Sequence, residues 1–156
     1  MRLKRGAKGW WIALIAAAID RLGKLLIVRC TPHGGVDVLP GLLHFTEPIH
    51  NTGISFSLFS GGALLPLLTA ALIAAIVVML LRHSEYPKAF RTGLWLIAGG
   101  GFGNLYDRLI YGYGIDFIEF SFIRFPIFNP ADVFICMGAA LMLLDVIISE
   151  ARKKHG

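Results

Sequence analysis

Residues 61–81 read GGALLPLLTAALIAAIVVMLL, 21 residues without one charged side chain. A helix crossing the hydrocarbon core of a bilayer needs about 20 predominantly apolar residues, and this run has that length. Working outward, three weaker runs share its character. Trp10 to Val28 is uninterrupted as far as Ile19 and then carries Asp20, Arg21 and Lys24. Phe90 to Tyr106 follows Pro87, with Arg91 at its foot, and Val133 to Ile148 holds one charge, Asp145. The composition agrees. The 156 residues are 56% hydrophobic and 16% charged, with a mean hydropathy of +0.68. Soluble domains are about 45–50% apolar with about a quarter charged, so an ordinary soluble domain is excluded, and disorder with it. The expectation is one integral-membrane domain over 1–156, with membrane helices at about 10–28, 61–81, 90–106 and 133–148. The first run also has the basic start and small residues of a cleaved signal peptide. A retained helix fits better, because apolar character resumes at Leu22 and three more runs follow.

The basic residues set the orientation. Four Lys or Arg precede the first helix, three lie between the second and third (Arg82, Lys88, Arg91), and three follow the fourth (Arg152, Lys153, Lys154). The segment from Cys30 to Ser60 has none, and the one between helices three and four has Arg108 and Arg124. The positive-inside rule then puts both termini in the cytoplasm and the two long loops outside. Net charge is +5, but its clustering beside apolar runs fits membrane orientation rather than nucleic acid. In the first outer loop, Val36 to Phe45 partly alternates around Pro40–Gly41, a turn signal, and reads as a short hairpin. In the second, the aromatic Ile115 to Phe128 reads equally as a strand or as an amphipathic segment in the interface.

Ionisable groups at membrane depth are costly and mark function by default. Asp107 and Arg108 close the third helix in GGGFGNLYDRL (Gly99 to Leu109), Asp116 follows, and Asp132 opens the fourth helix in FNPAD (Phe128 to Asp132). Two Asp held about 3 Å apart share one proton. One can then take a proton from water while the other gives one to a leaving amine. Asp132 reads equally as a helix cap and Asp116 as a surface loop residue. Asp107, Arg108 and Asn104 read as a polar brace, with Asp107 bonded to backbone or to Asn104. Asp20 and Lys24, four apart, can pair on one helical face. Gly53, after Asn51, permits a tight turn. Other chemistries find little support. Cys30 and Cys136 form no disulfide framework, the five His no zinc spacing, and Ser55, Ser57 and Ser60 no nucleophile turn. Gly99 to Gly101 and Gly103 are small residues allowing close helix contact.

AAIDRLGK (Ala17 to Lys24), HNTGISFS (His50 to Ser57), GGGFGNLYDRL, GIDFI (Gly114 to Ile118) and FNPAD occur in this order along the chain. With them the chain resembles the bacterial lipoprotein signal peptidases (signal peptidase II). The resemblance implies a catalytic pair at Asp116 and Asp132. Its other motif residues fall on Asp20, Lys24, Asn51, Gly53, Gly100, Asn104, Asp107, Arg108, Asn129 and Ala131, in structural or substrate-positioning roles. It further implies an α-helical membrane protein of four transmembrane helices with a small extracytoplasmic β-cradle, an interfacial segment and a mobile lid between helices three and four. The implied activity is aspartic endopeptidase cleavage just before the diacylglyceryl-cysteine of a prolipoprotein, in the cytoplasmic (inner) membrane, near its outer face. Prolipoproteins and membrane lipids are the expected partners, with no metal, cofactor or nucleic acid, and the protein is expected to be a monomer. Arg21, where many members have Gln, and Pro130 inside FNPAD depart from the pattern. A four-helix ion or proton transporter is the competing reading. It fits worse, because the charges cluster at helix ends rather than mid-membrane.

Overall fold

The computed structural model describes residues 8–53, 63–83 and 85–155. Arg2, Lys4 and Arg5, the stretch 54–57 of HNTGISFS, Ser60, and Gly61–Gly62 at the head of the second apolar run lie outside the described residues. Seven elements follow one another: α1 (Trp10–Cys30), β1 (Val36–Leu39), β2 (Leu43–Asn51), α2 (Leu64–Arg82), α3 (Lys88–Tyr111), β3 (Gly114–Phe120) and α4 (Pro130–His155). α3 is the central helix and packs on α1, α2 and α4. Two of the helices, α2 and α4, are long and apolar enough to cross a membrane by length and composition alone.

The helices are inverted relative to a water-soluble bundle. α1 buries Ala16, Ala17, Asp20 and Lys24 and exposes Trp10, Trp11, Leu14, Ile15, Ile19, Leu22 and Leu26. α2 buries only Ile76 and Leu80. Such contiguous apolar exposure is unfavourable against water and costs nothing against lipid. The buried apolar cluster is small: Ile76, Leu80, Leu94, Trp95 and Ala98. Elsewhere the helices meet through small residues. A Cβ on Gly100 would strike the Ala131 carbonyl of α4, and one on Gly103 would strike the Asp20 carboxylate of α1.

Both apolar runs at the C-terminal half continue as longer helices than their hydrophobic stretches. α3 passes Tyr106 to reach Tyr111, because Asp107 and Arg108 find partners inside the protein; it stops at Gly112, whose φ of 82° is the left-handed cap that closes a helix. α4 begins at Pro130, where a missing N–H costs nothing, and its basic end carries a Lys153–Glu150 pair.

The three strands form one antiparallel sheet in the order β1-β2-β3. The β1–β2 hairpin turns at Pro40–Leu42, with Gly41 at φ 73° and Leu42 N–H donating to Leu39 O at 2.9 Å. The register of β2 on β3 shifts between Phe45 and Ile49, around Pro48, which has no N–H to give the ladder. Ile115 to Phe128 resolves as a strand followed by a return. β3 ends at Phe120, an exposed stretch follows, and Phe128 comes back to bridge Ile118.

Candidate active site

That return builds the site. Phe128 O accepts from Phe117 N–H at 3.0 Å and from Ile118 N–H at 2.8 Å, and Phe128 N–H donates to Ile118 O at 3.1 Å. The next residue, Asn129, is thereby pinned beside Asp116. Asn129 then caps α4. Its Oδ1 accepts from Asp132 N–H at 3.1 Å, and Asp132 Oδ2 accepts from Asn129 N–H at 3.1 Å. This is a reciprocal capping box with Asp at the third helical position. Asp132 thus closes the capping box with one oxygen and leaves the other for Asn104, and the cap residue itself is Asn129.

Three amides fix the two carboxylates. Asp116 Oδ1 accepts from Asn129 Nδ2 at 2.6 Å and its Oδ2 from Asn51 Nδ2 at 2.7 Å. Asp132 Oδ1 accepts from Asn104 Nδ2 at 2.8 Å. Each amide is locked by what holds its oxygen. Asn51 Oδ1 takes the Gly53 N–H at 3.0 Å. Asn104 Oδ1 takes Lys24 Nζ at 3.1 Å and Asn129 Nδ2 at 3.0 Å. With the oxygens so occupied, every NH₂ group faces a carboxylate. Among the described residues no hydrogen bond joins Asp116 to Asp132; Asn129 touches both. The two carboxyls line one cavity of about 620 Å³, apolar along α2 and α4 and polar at Asn51, Asn104 and Arg108.

Behind the amides lies a buried ionic cluster. Lys24 Nζ donates to Asp20 Oδ2 at 2.8 Å and Asp107 Oδ2 at 2.7 Å, as well as to Asn104. Its three N–H bonds are all used. Asp20 Oδ1 in turn accepts the Ala131 N–H at 3.0 Å, satisfying one of the four orphan donors at the start of α4. Asp107 completes the cluster by pairing with Arg21, whose guanidinium lies 4.6 Å over the Tyr106 ring. Two cations and two carboxylates balance. Arg108 donates to Asn104 O at 3.1 Å and Gly53 O at 3.4 Å, while its buried Nε has no partner.

The pairing of Asp20 with Lys24 follows the i,i+4 reading. Asp107 has the backbone contact expected of the brace but no bond to Asn104. Its main partners are Arg21 and Lys24; a 3.4 Å bond from Ile115 N–H is its backbone contact, and Asn104 serves the carboxylates instead. Arg21 was visible only as a variation on a motif. A charge inside an apolar run was its signal. Among the described residues no three His, Cys, Asp or Glu side chains group as a metal site.

Residues 12–148 match the family model described as Signal peptidase (SPase) II. The chain belongs to the signal peptidase II family. The lipoprotein signal peptidase of Gloeobacter violaceus is 35% identical over 145 residues, covering 92% of this chain and 83% of that one. That of Trichormus variabilis is 38% identical over 148 residues, covering 94% and 93%. A solved structure described as a bacterial membrane enzyme, studied by the in meso method at 2.3 Å resolution, superposes with a TM-score of 0.84 at 26% identity, covering 94% of this chain and 91% of that one. Family and apolar helices together make this signal peptidase II member a bacterial membrane protein and a protease.

Proposed function

We propose that this signal peptidase II removes the signal peptide from diacylglyceryl-modified prolipoproteins, cutting just before the lipidated cysteine, with Asp116 and Asp132 as an aspartic catalytic pair. The supporting observation is the shared cavity: two amide-held carboxylates among its polar residues, and an apolar wall that includes Leu65, Leu72, Ile73 and Ile135. In this reading one proton is held between the carboxyls. The ionised Asp takes a proton from a water, whose oxygen attacks the scissile carbonyl carbon. The protonated Asp hydrogen-bonds the carbonyl oxygen. The tetrahedral intermediate collapses, the C–N bond breaks, and the proton passes to the departing amine. Arg108 lines the cavity and holds the Asn104 and Gly53 carbonyls in place beside the substrate. Asp20, Lys24 and Asp107 position the amides rather than touch the substrate.

The same reading takes the chain as one domain of four spanning helices in the inner membrane, both termini cytoplasmic and the sheet at the outer face, acting as a monomer. A transporter reading has no support from the family. The test is cleavage of a lipid-modified precursor by purified Asp116→Asn and Asp132→Asn. Each variant removes a base or the shared proton without changing shape. General acid–base groups contribute about 10²–10⁴-fold, and at least the upper end is expected for each, with melting temperature and substrate binding kept. Because the pair works with one proton, wild-type kcat should fall on both sides of its optimum pH. Near-normal turnover in either variant would sink the dyad.

A further inference from the structure

The glycines of α3 do not all serve the same purpose. A Cβ at Gly93, Gly99, Gly100 or Gly103 would run into a backbone carbonyl or the Asp20 carboxylate, so helix packing excludes it. Gly101 differs. A Cβ there would meet side chains rather than backbone: Ile73 Cγ1 in a tight contact at 3.3 Å, Ile73 Cδ1 at 3.5 Å and Thr69 Cγ2 at 4.0 Å. Glycine weakens a helix relative to alanine, and at this position no backbone carbonyl or carboxylate requires it. What its bare backbone does provide is space. Gly101, Thr69 and Ile73 line the cavity that holds Asp116 and Asp132.

We propose that Gly101 sets the size of the signal-peptide side chain accepted beside the cleaved bond. The inference rests on the peptidase reading above. Gly101 precedes Asn104 by three residues on the same helical face, about 4.5 Å along the axis at 1.5 Å per residue, on the side away from the sheet. Asn104 donates to Asp132, so Gly101 lies one turn deeper in the helical bundle than the carboxyls. A signal helix whose far end meets the dyad puts the residues before the cleaved bond at this depth. The stretch of cavity wall formed by Gly101, Thr69 and Ile73 is where one such side chain enters.

The experiment compares kcat/KM of the purified full-length protein in detergent on lipid-modified precursors. These carry Gly, Ala, Val or Leu at each of the three positions before the cleaved bond. Wild type, Gly101→Ala, Gly101→Val, Ile73→Ala and Gly101→Val with Ile73→Ala are assayed, each with its melting temperature. At one position, Gly101→Val should lower the bulky-to-small ratio by about 10-fold or more, the discrimination a methylene-sized clash gives. Ile73→Ala should raise that ratio in wild type and restore it in Gly101→Val. A uniform fall across all precursors, or unchanged ratios in both Gly101→Val and Ile73→Ala, overturns the proposal. If Gly101→Val does not fold, the Ile73→Ala ratio alone decides. Should wild type cut no precursor, the peptidase reading itself fails, and the inference goes with it.

Discussion

Lys24 is the residue on which the polar interior turns. It is fully buried, and its ammonium joins Asp20, Asp107 and Asn104. Removing one partner of a buried ion pair leaves the other uncompensated and costs about 3–5 kcal/mol. Lys24→Met should therefore lower the melting temperature in detergent sharply. Asp107→Asn should do so too, since Arg21 would lose its carboxylate partner and Lys24 would keep Asp20 alone. The activity of both should fall along with stability; a fully stable Asp107→Asn that binds substrate but does not turn it over would give Asp107 a chemical role instead. Asn129→Ala probes the next layer. The lost cap is worth about 1 kcal/mol, but Asp116 also loses a donor, and Asn104, which holds Asp132, loses the Asn129 bond to its oxygen. We expect a small drop in melting temperature beside a fall in kcat on the order of 10²-fold, the scale of one preorganised donor. A kcat drop no larger than the stability change explains would reduce Asn129 to a cap. Much of this layer was legible as motif residues. What they bond to was not: Arg21 reaches Asp107 across 86 positions and Asn51 reaches Asp116 across 65, and spacing along one chain carries no information about such meetings.

At the scale of elements, the sequence spoke clearly where one solvent decides the pattern. The apolar run behind α2 could only be a membrane-length helix. The stretch from Ile115 to Phe128 was ambiguous because its aromatic alternation suits a strand and an interfacial segment alike. Pairing with β2 on one side and the bridge from Phe128 on the other settle it, and both are long-range facts. Helix ends misled for a similar reason. Hydrophobicity marks lipid contact, whereas α3 and α4 continue wherever caps and ion pairs sustain them. The glycines of α3 give an element-level prediction. Gly100→Val would put three carbons against the Ala131 carbonyl at the first turn of α4, displacing Asn129 and Asp132 together. Overpacking costs about 1–3 kcal/mol, and the displaced cap adds to it. Melting temperature and cleavage of every precursor should fall together. Unchanged stability in Gly100→Val would mean that α3 and α4 do not depend on this close approach.

The whole molecule is organised by two solvents, and its orientation follows from charge rather than from packing. α1 shows lipid its Trp, Leu and Ile side chains and hides Asp20 and Lys24. The sheet carries Asp37, Glu47 and Glu119 with no Lys or Arg, and the far ends of α2 and α4 carry Arg82, Arg152 and Lys153. Basic residues resist translocation, so the proposed topology keeps the end rich in them cytoplasmic and takes the sheet end across. His44 sits on β2 and bonds Asp37 at 2.8 Å near the sheet surface, which makes it a suitable reporter. Cys30 and Cys136 are both exposed at the protein surface, so they are first replaced by Ala. In that background, His44→Cys should react with a membrane-impermeant maleimide added to intact spheroplasts, while Arg152→Cys should react only after the membrane is opened. Equal protection of both positions would mean that the sheet is buried from the outside. The reverse pattern would invert the topology, and an active site facing the cytoplasm could not act on a lipoprotein precursor held at the outer leaflet.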